Sequence, residues 1–316
     1  MKKLLLILFL ITITSGFSYG ESSPEENNFF REKKYSITWG GHSTVLININ
    51  GKRILTDPLL TNSVAGISKR KTGCKLDLNI NERPDIILIS HSHFDHLCMN
   101  SLELLEKKFP GAKLVFPEGV EDFLPDLNFD MYRLRTNKNF KNSVVGESVV
   151  IDGVKITTVY AKHSGGRYGL DSYFWEDKGH TGYIIEYEGV VIFFSGDTGY
   201  DKNAFKEIGN KFEINTALIQ TGPCFDCEND GSEEHASSVE ALNIFIDLKA
   251  NYMVPVHYGS IEYDTDADYP VWVLKEIINK KYKSLVTAGN SDINYDINFS
   301  DRIIILDEGE NISLIK

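Results

Sequence analysis

Between residues 91 and 96 the chain runs His91-Ser92-His93-Phe94-Asp95-His96, three imidazoles and a carboxylate within six positions. In extended backbone, residues i and i+2 point to one side, so His91 and His93 can chelate one cation together. Asp95 and His96 follow where the chain must turn, and they can address a second position about 3.5–4 Å away, the usual two-metal separation. Further candidates stand alone in the chain: His163, Asp197 in Ser195-Gly196-Asp197-Thr198-Gly199, and His257 in Pro255-Val256-His257-Tyr258. One assignment satisfies both positions. His91, His93 and His163 hold one ion, Asp95, His96 and His257 the other, and Asp197 bridges them. Apart from the shared Asp197, three ligands of its own per ion leave room for a water, which marks a catalytic site rather than a structural one. Imidazole and carboxylate without thiolate suit two Zn2+ ions, with Mn2+ or Fe also accommodated. The expected reaction is hydrolysis by a metal-bound hydroxide, since water held between two dications loses its proton near neutral pH.

Each of these residues must be carried to a common place, and the local sequence shows how. Asp85–Ser90 (DIILIS) is a short, continuously apolar run, the pattern of a strand buried on both faces, and the His-rich motif starts where it stops. His163 follows the strand-like Lys155–Ala161, Asp197 follows Val190–Phe194, and His257 follows Tyr252–Val256. Parallel placement of those strands brings the ends to one rim. Elsewhere Tyr35–Leu55 alternates apolar and polar residues around Asn50-Gly51, a hairpin-turn dipeptide. Further strands are expected at Lys113–Phe116, Val149–Ile151, Val154–Tyr160, Tyr183–Tyr187, Asn215–Gln220, Arg302–Leu306 and Ile312–Ile315. Asn100 or Ser101 is expected to cap a helix carrying Leu102, Leu104 and Leu105. Ser237-x-x-Glu240 is a capping box opening another, and Pro270 sits in the first turn of a third. Strands lead in both halves and helices follow some of them. That order predicts an α/β fold of two similar halves, a four-layer αββα sandwich, rather than a regular β-α alternation.

The chain has 316 residues, 42% apolar and 25% charged, with a formal net charge of −12. That balance excludes a disordered or fibrous protein, and so acidic a chain lacks the basic footprint that nucleic acid requires as partner. Met1-Lys2-Lys3, the uncharged run Leu4–Thr14 and the small-flanked Ser18-Tyr19-Gly20 are the parts of a secretory signal peptide over residues 1–20. Residues 21–34 read as a polar lead-in and residues 35–316 as the hydrolase domain. The expected location is therefore the periplasm or the outside of the cell, where Cys224 and Cys227 can oxidise. A Cys-x-x-Cys pair also suits metal when a second pair or His partners accompany it.

The motif His-x-His-x-Asp-His with later His, Asp and His resembles that of the metallo-β-lactamase superfamily, and the resemblance runs from about Tyr35 to the C-terminus. It implies the αββα fold and the seven-residue ligand set above. An amidohydrolase barrel also opens with His-x-His, but there the Asp comes last, whereas here Asp197 precedes His257. Trp39-Gly40-Gly41-His42-Ser43-Thr44, Leu55-Thr56-Asp57-Pro58, Gly196-Asp197-Thr198-Gly199-Tyr200 and Val256-His257-Tyr258-Gly259 look like the branch holding N-acyl-phosphatidylethanolamine phospholipase D and ascorbate-6-phosphate lactonase. That likeness implies a phosphodiesterase of the phospholipase D type, acting on a phospholipid or small-molecule substrate with peripheral membrane contact. A lactonase or β-lactamase on the same fold is the alternative, and a non-catalytic metal-binding protein a third reading. The resemblance also places Asp95 as the group that orients the nucleophile and accepts its proton, and His235 as a catalytic residue steadying the oxyanion. The branch carries Pro-Glu-Glu-Ala after the latter, where this chain has Ala236-Ser237-Ser238-Val239-Glu240-Ala241. His42 reads as a hydrogen-bonded group behind the ligands and Asp57 as a carboxylate orienting a metal-binding His. His180, in a polar turn, reads as surface, and Tyr173-Phe174-Trp175 as strand or loop packing or the lip for an acyl chain.

Overall fold

The computed structural model describes residues 34–79, 82–136, 143–168, 171–175, 178–229, 231–262, 266–279 and 301–316. The signal peptide and nearly all of the polar lead-in expected over residues 1–34 lie outside them. In chain order the elements are β1 (Lys34–Trp39), β2 (Val45–Ile49), β3 (Lys52–Thr56), the short pair β4 (Ser63–Val64) and β5 (Ser68–Lys69), β6 (Ile86–Leu88), α1 (Met99–Lys108), β7 (Lys113–Pro117) and β8 (Asp130–Leu134). There follow β9 (Val145–Ile151), β10 (Val154–Val159), β11 (Gly182–Tyr187), β12 (Val190–Phe194), α2 (Lys202–Lys211), β13 (Thr216–Gln220), α3 (Ser238–Asp247), β14 (Tyr252–Val256), α4 (Tyr269–Ile278) and β15 (Asn311–Ile315).

Among the described residues the long strands form two sheets, β15-β1-β2-β3-β6-β7-β8 and β14-β13-β12-β11-β10-β9. Each begins with antiparallel hairpins and ends in parallel strands: β3, β6, β7 and β8 in the first, β12, β13 and β14 in the second. The β2–β3 hairpin turns at Asn50 and Gly51, whose φ values of 48° and 89° both lie in the left-handed region that a tight two-residue hairpin requires.

Alternating residues decide which face each strand buries. Ile37, Ile47, Ile54 and Leu88 of the first sheet meet Ile156, Tyr183, Phe194 and Leu218 of the second in the central layer. The opposite faces are covered separately. Leu102 and Leu105 of α1 pack on Leu55, Ile87 and Leu114. Phe205 and Ile208 of α2, Leu242 and Phe245 of α3 and Leu274 of α4 pack on Phe193, Ala217 and Ile219. The expected four-layer αββα sandwich is thus formed.

Two local expectations differ. Helix α1 starts earlier than Asn100 or Ser101 and has Cys98 at its N-cap with no side-chain cap. Ser101 instead turns inward, where its buried hydroxyl accepts from the backbone of Leu60 at 2.9 Å. Residues 302–306 give a bridge from Ile303 to Met253 rather than a full strand. The other capping expectation holds: Ser237 and Glu240 form a reciprocal capping box at the start of α3. No helix among the described residues is long and apolar enough to cross a membrane.

Candidate metal centre

Strands β1, β3, β6, β10, β12 and β14 all finish at one edge of the sandwich, and each is followed by a polar residue that cannot be accommodated in the apolar layer. His42 comes after β1, Asp57 after β3, the 91–96 motif after β6, His163 after β10, Asp197 after β12 and His257 after β14. The structure brings these side chains together, and they are buried apart from Asp95 and His93, which are partly covered.

Two groups emerge. His91, His93 and His163 offer nitrogens within 4.8 Å of one another, with Nε2 of His91 2.9 Å and Nε2 of His163 3.2 Å from Nδ1 of His93. His42, Asp95, His96 and His257 form the second, with the Nε2 atoms of His96 and His257 3.2 Å apart. Asp95 Oδ2 stands 3.7 Å from His96 Nε2 and 3.8 Å from His257 Nε2. Asp197 lies between the groups. Its Oδ2 is 3.1 Å from His96, 3.2 Å from His257 and 3.9 Å from His91, while its Oδ1 is buried with no hydrogen-bond partner among the described residues.

These residues fit a cation. Nitrogens bound at 2.0–2.1 Å in a tetrahedron stand about 3.3 Å apart, close to the spacing in the first group. Crowded imidazole lone pairs and an orphaned buried carboxylate oxygen are costly alone and are satisfied together by positive charge. Burial, reinforced by neighbouring imidazoles and only partly opposed by the Asp197 carboxylate, holds His91 and His163 well below the usual imidazole range and so keeps their nitrogens available as donors. Burial pushes the Asp95 and Asp197 carboxyls up, but the facing histidines outweigh it and hold both well below the usual carboxylate range.

Groups behind the ligands set which nitrogen faces inward. Asp57, fully buried, accepts from the Ser90 backbone at 2.7 Å, the Ser90 hydroxyl at 2.6 Å and His96 Nδ1 at 2.7 Å. The same Ser90 Oγ stands 2.9 Å from His91 Nδ1. With protons on the two Nδ1 atoms, both imidazoles turn a bare Nε2 toward the centre. His257 Nδ1 donates to the Gly222 carbonyl at 3.0 Å with the same result. His42 donates from Nε2 to Asp95 Oδ2 at 3.0 Å, and burial drives its pKa down to about 3, so it works as a neutral donor.

His235 approaches from the loop before α3, its Nε2 3.2 Å from Asp197 Oδ2. His180 was expected at the surface but is buried: the turn carrying it pairs with His91, and its ring lies 6.2 Å from that of His163. Cys224 and Cys227 are joined in a disulfide packed against Val273. Tyr173 and Phe174 are exposed, whereas Trp175 packs on Phe123.

Sequence reasoning missed Ser90 and Arg167. The Arg167 guanidinium is buried, donates from Nη1 to the Ser92 and Leu97 carbonyls at 2.8 and 3.1 Å, and stacks 4.3 Å from the Phe94 ring centre. Both residues sit beside motif residues, yet nothing in their spacing marks them out.

A strand-end cluster of histidines and aspartates on an αββα sandwich defines a metal-dependent hydrolase. Residues 36–257 match the beta-lactamase superfamily domain, and the chain belongs to that metallo-β-lactamase superfamily. A metal-dependent hydrolase of Sulfolobus acidocaldarius is 28% identical over 79% of this chain and 95% of its own length. The N-acyl-phosphatidylethanolamine-hydrolyzing phospholipase D 1 of Caenorhabditis elegans is 26% identical over 84% of this chain and 77% of its own. The mitochondrial enzyme of that description from Saccharomyces cerevisiae is 30% identical over 76% of this chain and 50% of its own. Among solved structures, an isothiocyanate hydrolase from Delia radicum gut bacteria superposes with a TM-score of 0.62 at 16% identity, covering 89% of this chain and 100% of its own.

Proposed function

We propose that the protein is a binuclear zinc phosphodiesterase of the phospholipase D type, acting on N-acyl-phosphatidylethanolamine-like lipids after export from the cytoplasm. The observation that carries this reading is an apolar cavity of about 280 Å³ beside the cluster. Val64, Ile67, Phe94, Tyr168 and Ile261 line it together with His93 and Asp95 of the cluster. That volume is near the lower end of the roughly 300–1,000 Å³ of ligand pockets, enough for part of an acyl-bearing substrate but not for a whole diacyl lipid. The remainder of such a substrate stays at the surface, where Ile67 is 83% and Tyr168 65% exposed. Peripheral contact with a membrane through this rim is part of the same proposal, and the exposed Ile67 and Tyr168 support it. Kinship with two enzymes described as N-acyl-phosphatidylethanolamine-hydrolyzing phospholipases supports the substrate class. The Cys224–Cys227 disulfide supports an oxidising compartment.

The histidines and aspartates described above would hold two cations, and such a pair supplies Lewis acidity and an activated water. The chain's own groups do the rest. Asp95, kept ionised and fixed by the His42 N–H, faces the cavity as the acceptor for the proton of the attacking water. His235 is partly exposed, and its Nε2 stands 3.2 Å from Asp197 Oδ2, which places a ring N–H at the edge of the centre where it can donate to the oxyanion as charge develops.

The test is a panel assay on metal-quantified protein with N-acyl-phosphatidylethanolamine, an aryl phosphodiester, a lactone and a cephalosporin. Two zinc ions per chain and diester cleavage, lost at least about 1,000-fold in His93→Ala, are expected on removing a ligand and its ion. Lactone or cephalosporin turnover without diester cleavage overturns the substrate assignment, and fewer than one metal per chain overturns the binuclear centre.

A further inference from the structure

Arg167 presents an unusual state for a buried cation. It is 6% exposed, yet among the described residues no carboxylate pairs with its guanidinium. Asp171, the nearest acid in sequence, instead accepts the backbone N–H groups of Arg167 and Tyr168 at 3.0 and 2.9 Å. Nη1 is engaged by the two carbonyls already named, and the face of the guanidinium rests on Phe94. Nε and Nη2 have no hydrogen-bond partner among the described residues, and the side chain lines the same cavity as His93 and Asp95. It also lines a second cavity of about 190 Å³ that shares Ala65 and Phe94. A guanidinium stays charged and costs several kcal/mol to bury unless an anion meets it. Its planar fork suits two parallel bonds to a tetrahedral oxyanion.

We infer that Arg167 is the anion anchor of this site, receiving the negatively charged oxygens of the substrate through Nε and Nη2 while Nη1 holds the motif loop. The loop is held tightly enough for such a role, because Ser92 Oγ donates to the Gly166 carbonyl at 2.5 Å while Arg167 returns a bond to the Ser92 carbonyl. The anion is the phosphodiester monoanion, and that identity rests on the proposed function. A substrate bearing a single negative charge beside an apolar tail matches both the guanidinium and the surrounding Val64, Ile67 and Ile261.

The experiment uses two probes without a cleavable bond, decanesulfonate and its uncharged counterpart decyl methyl sulfone, titrated calorimetrically into the metal-loaded protein. Wild type should prefer the sulfonate at least tenfold. Arg167→Met, compared with wild type at equal metal loading, should abolish that preference, with sulfone affinity moving less than twofold. Arg167→Lys, which keeps the charge and a donor for the loop carbonyls but loses the fork, should lose about fivefold and stands in where the Met variant does not fold. Survival of the full preference in either variant overturns the inference. So does equal weakening of both probes, which marks Arg167 as a loop clamp only. If wild type cleaves no phosphodiester but the sulfonate preference depends on Arg167, the substrate assignment falls and the anion anchor stands.

Discussion

Replacing Asp57 by Asn tests whether one buried carboxylate governs both halves of the metal centre. Asp57 Oδ2 takes the proton of His96 Nδ1 directly at 2.7 Å and that of Ser90 Oγ at 2.6 Å, and Ser90 Oγ in turn stands 2.9 Å from His91 Nδ1. An Asn side chain has the same shape and keeps the Oδ1 acceptor for the Ser90 backbone. Its amide nitrogen can only donate, so His96 Nδ1 must become an acceptor and the imidazole proton moves to Nε2. That atom faces Asp197 at 3.1 Å and His257 at 3.2 Å, where a ligand lone pair is needed. Ser90, now receiving a proton from the amide, no longer offers its lone pair to His91 in the same way. Losing such an outer partner costs about 10–100-fold in metal affinity, or about 1.4–2.8 kcal/mol at each position. Ser90→Ala cuts only the branch to His91 and should weaken one position while sparing the other. The assay is competition of zinc-loaded protein against a chromophoric chelator at fixed pH, with melting of the metal-free proteins as a control for folding. An Asp57→Asn variant that binds both equivalents within twofold of wild type would refute the relay, as would a Ser90→Ala variant that weakens both equally.

Two further outcomes follow from the sandwich itself. Tyr35 is buried with its hydroxyl 2.7 Å from Thr216 Oγ1, and burial, with Tyr252 adding and the Thr216 bond opposing, raises its pKa to about 12. The unfolded chain loses this proton near pH 10 and the folded chain only near 12, so stability should fall through that window by up to about 2.7 kcal/mol. Tyr35→Phe should remove this share of the alkaline loss in urea titrations, and an unchanged pH slope counts against it. Ile156→Ala, in the layer between the sheets, should cost about 2–5 kcal/mol in the same titrations, and a cost below about 1 kcal/mol would show that the layer collapses around the gap.

What the sequence reveals depends on how the physics is encoded. The 91–96 motif is legible because ligands two apart in extended backbone must share a side, and because burying histidines beside a run such as Ile86–Ile89 has no other ready explanation. His163, Asp197 and His257 are legible by position, each just past an apolar run whose end lies at the common rim. The sheets are legible by alternation, since one face of every strand must meet the other sheet. Helix α1 begins at Met99 and not at the better capping residues after it, because the backbone is already turning at Leu97, whose N–H bonds to the His93 carbonyl at 2.8 Å. The geometry of the motif loop overrides side-chain propensity there.

Arg167 and His180 show the opposite limit. Arginine in a polar, glycine-flanked stretch is ordinarily a solvated residue, and a histidine beside glycine in a turn is ordinarily exposed. Here the two segments fold over the motif loop, so that Arg167 meets the Ser92 and Leu97 carbonyls and the turn carrying His180 pairs with His91. Each contact joins residues at least 70 positions apart, and no local pattern records it. Chelating ligands leave a trace because they must be close in chain or equivalent in strand position. The groups that orient a substrate need only be close in space, so they surface when the packing is known. This asymmetry explains why the metal ligands are readable from one six-residue motif and three strand ends, while Arg167, the proposed anion anchor, belongs to no motif.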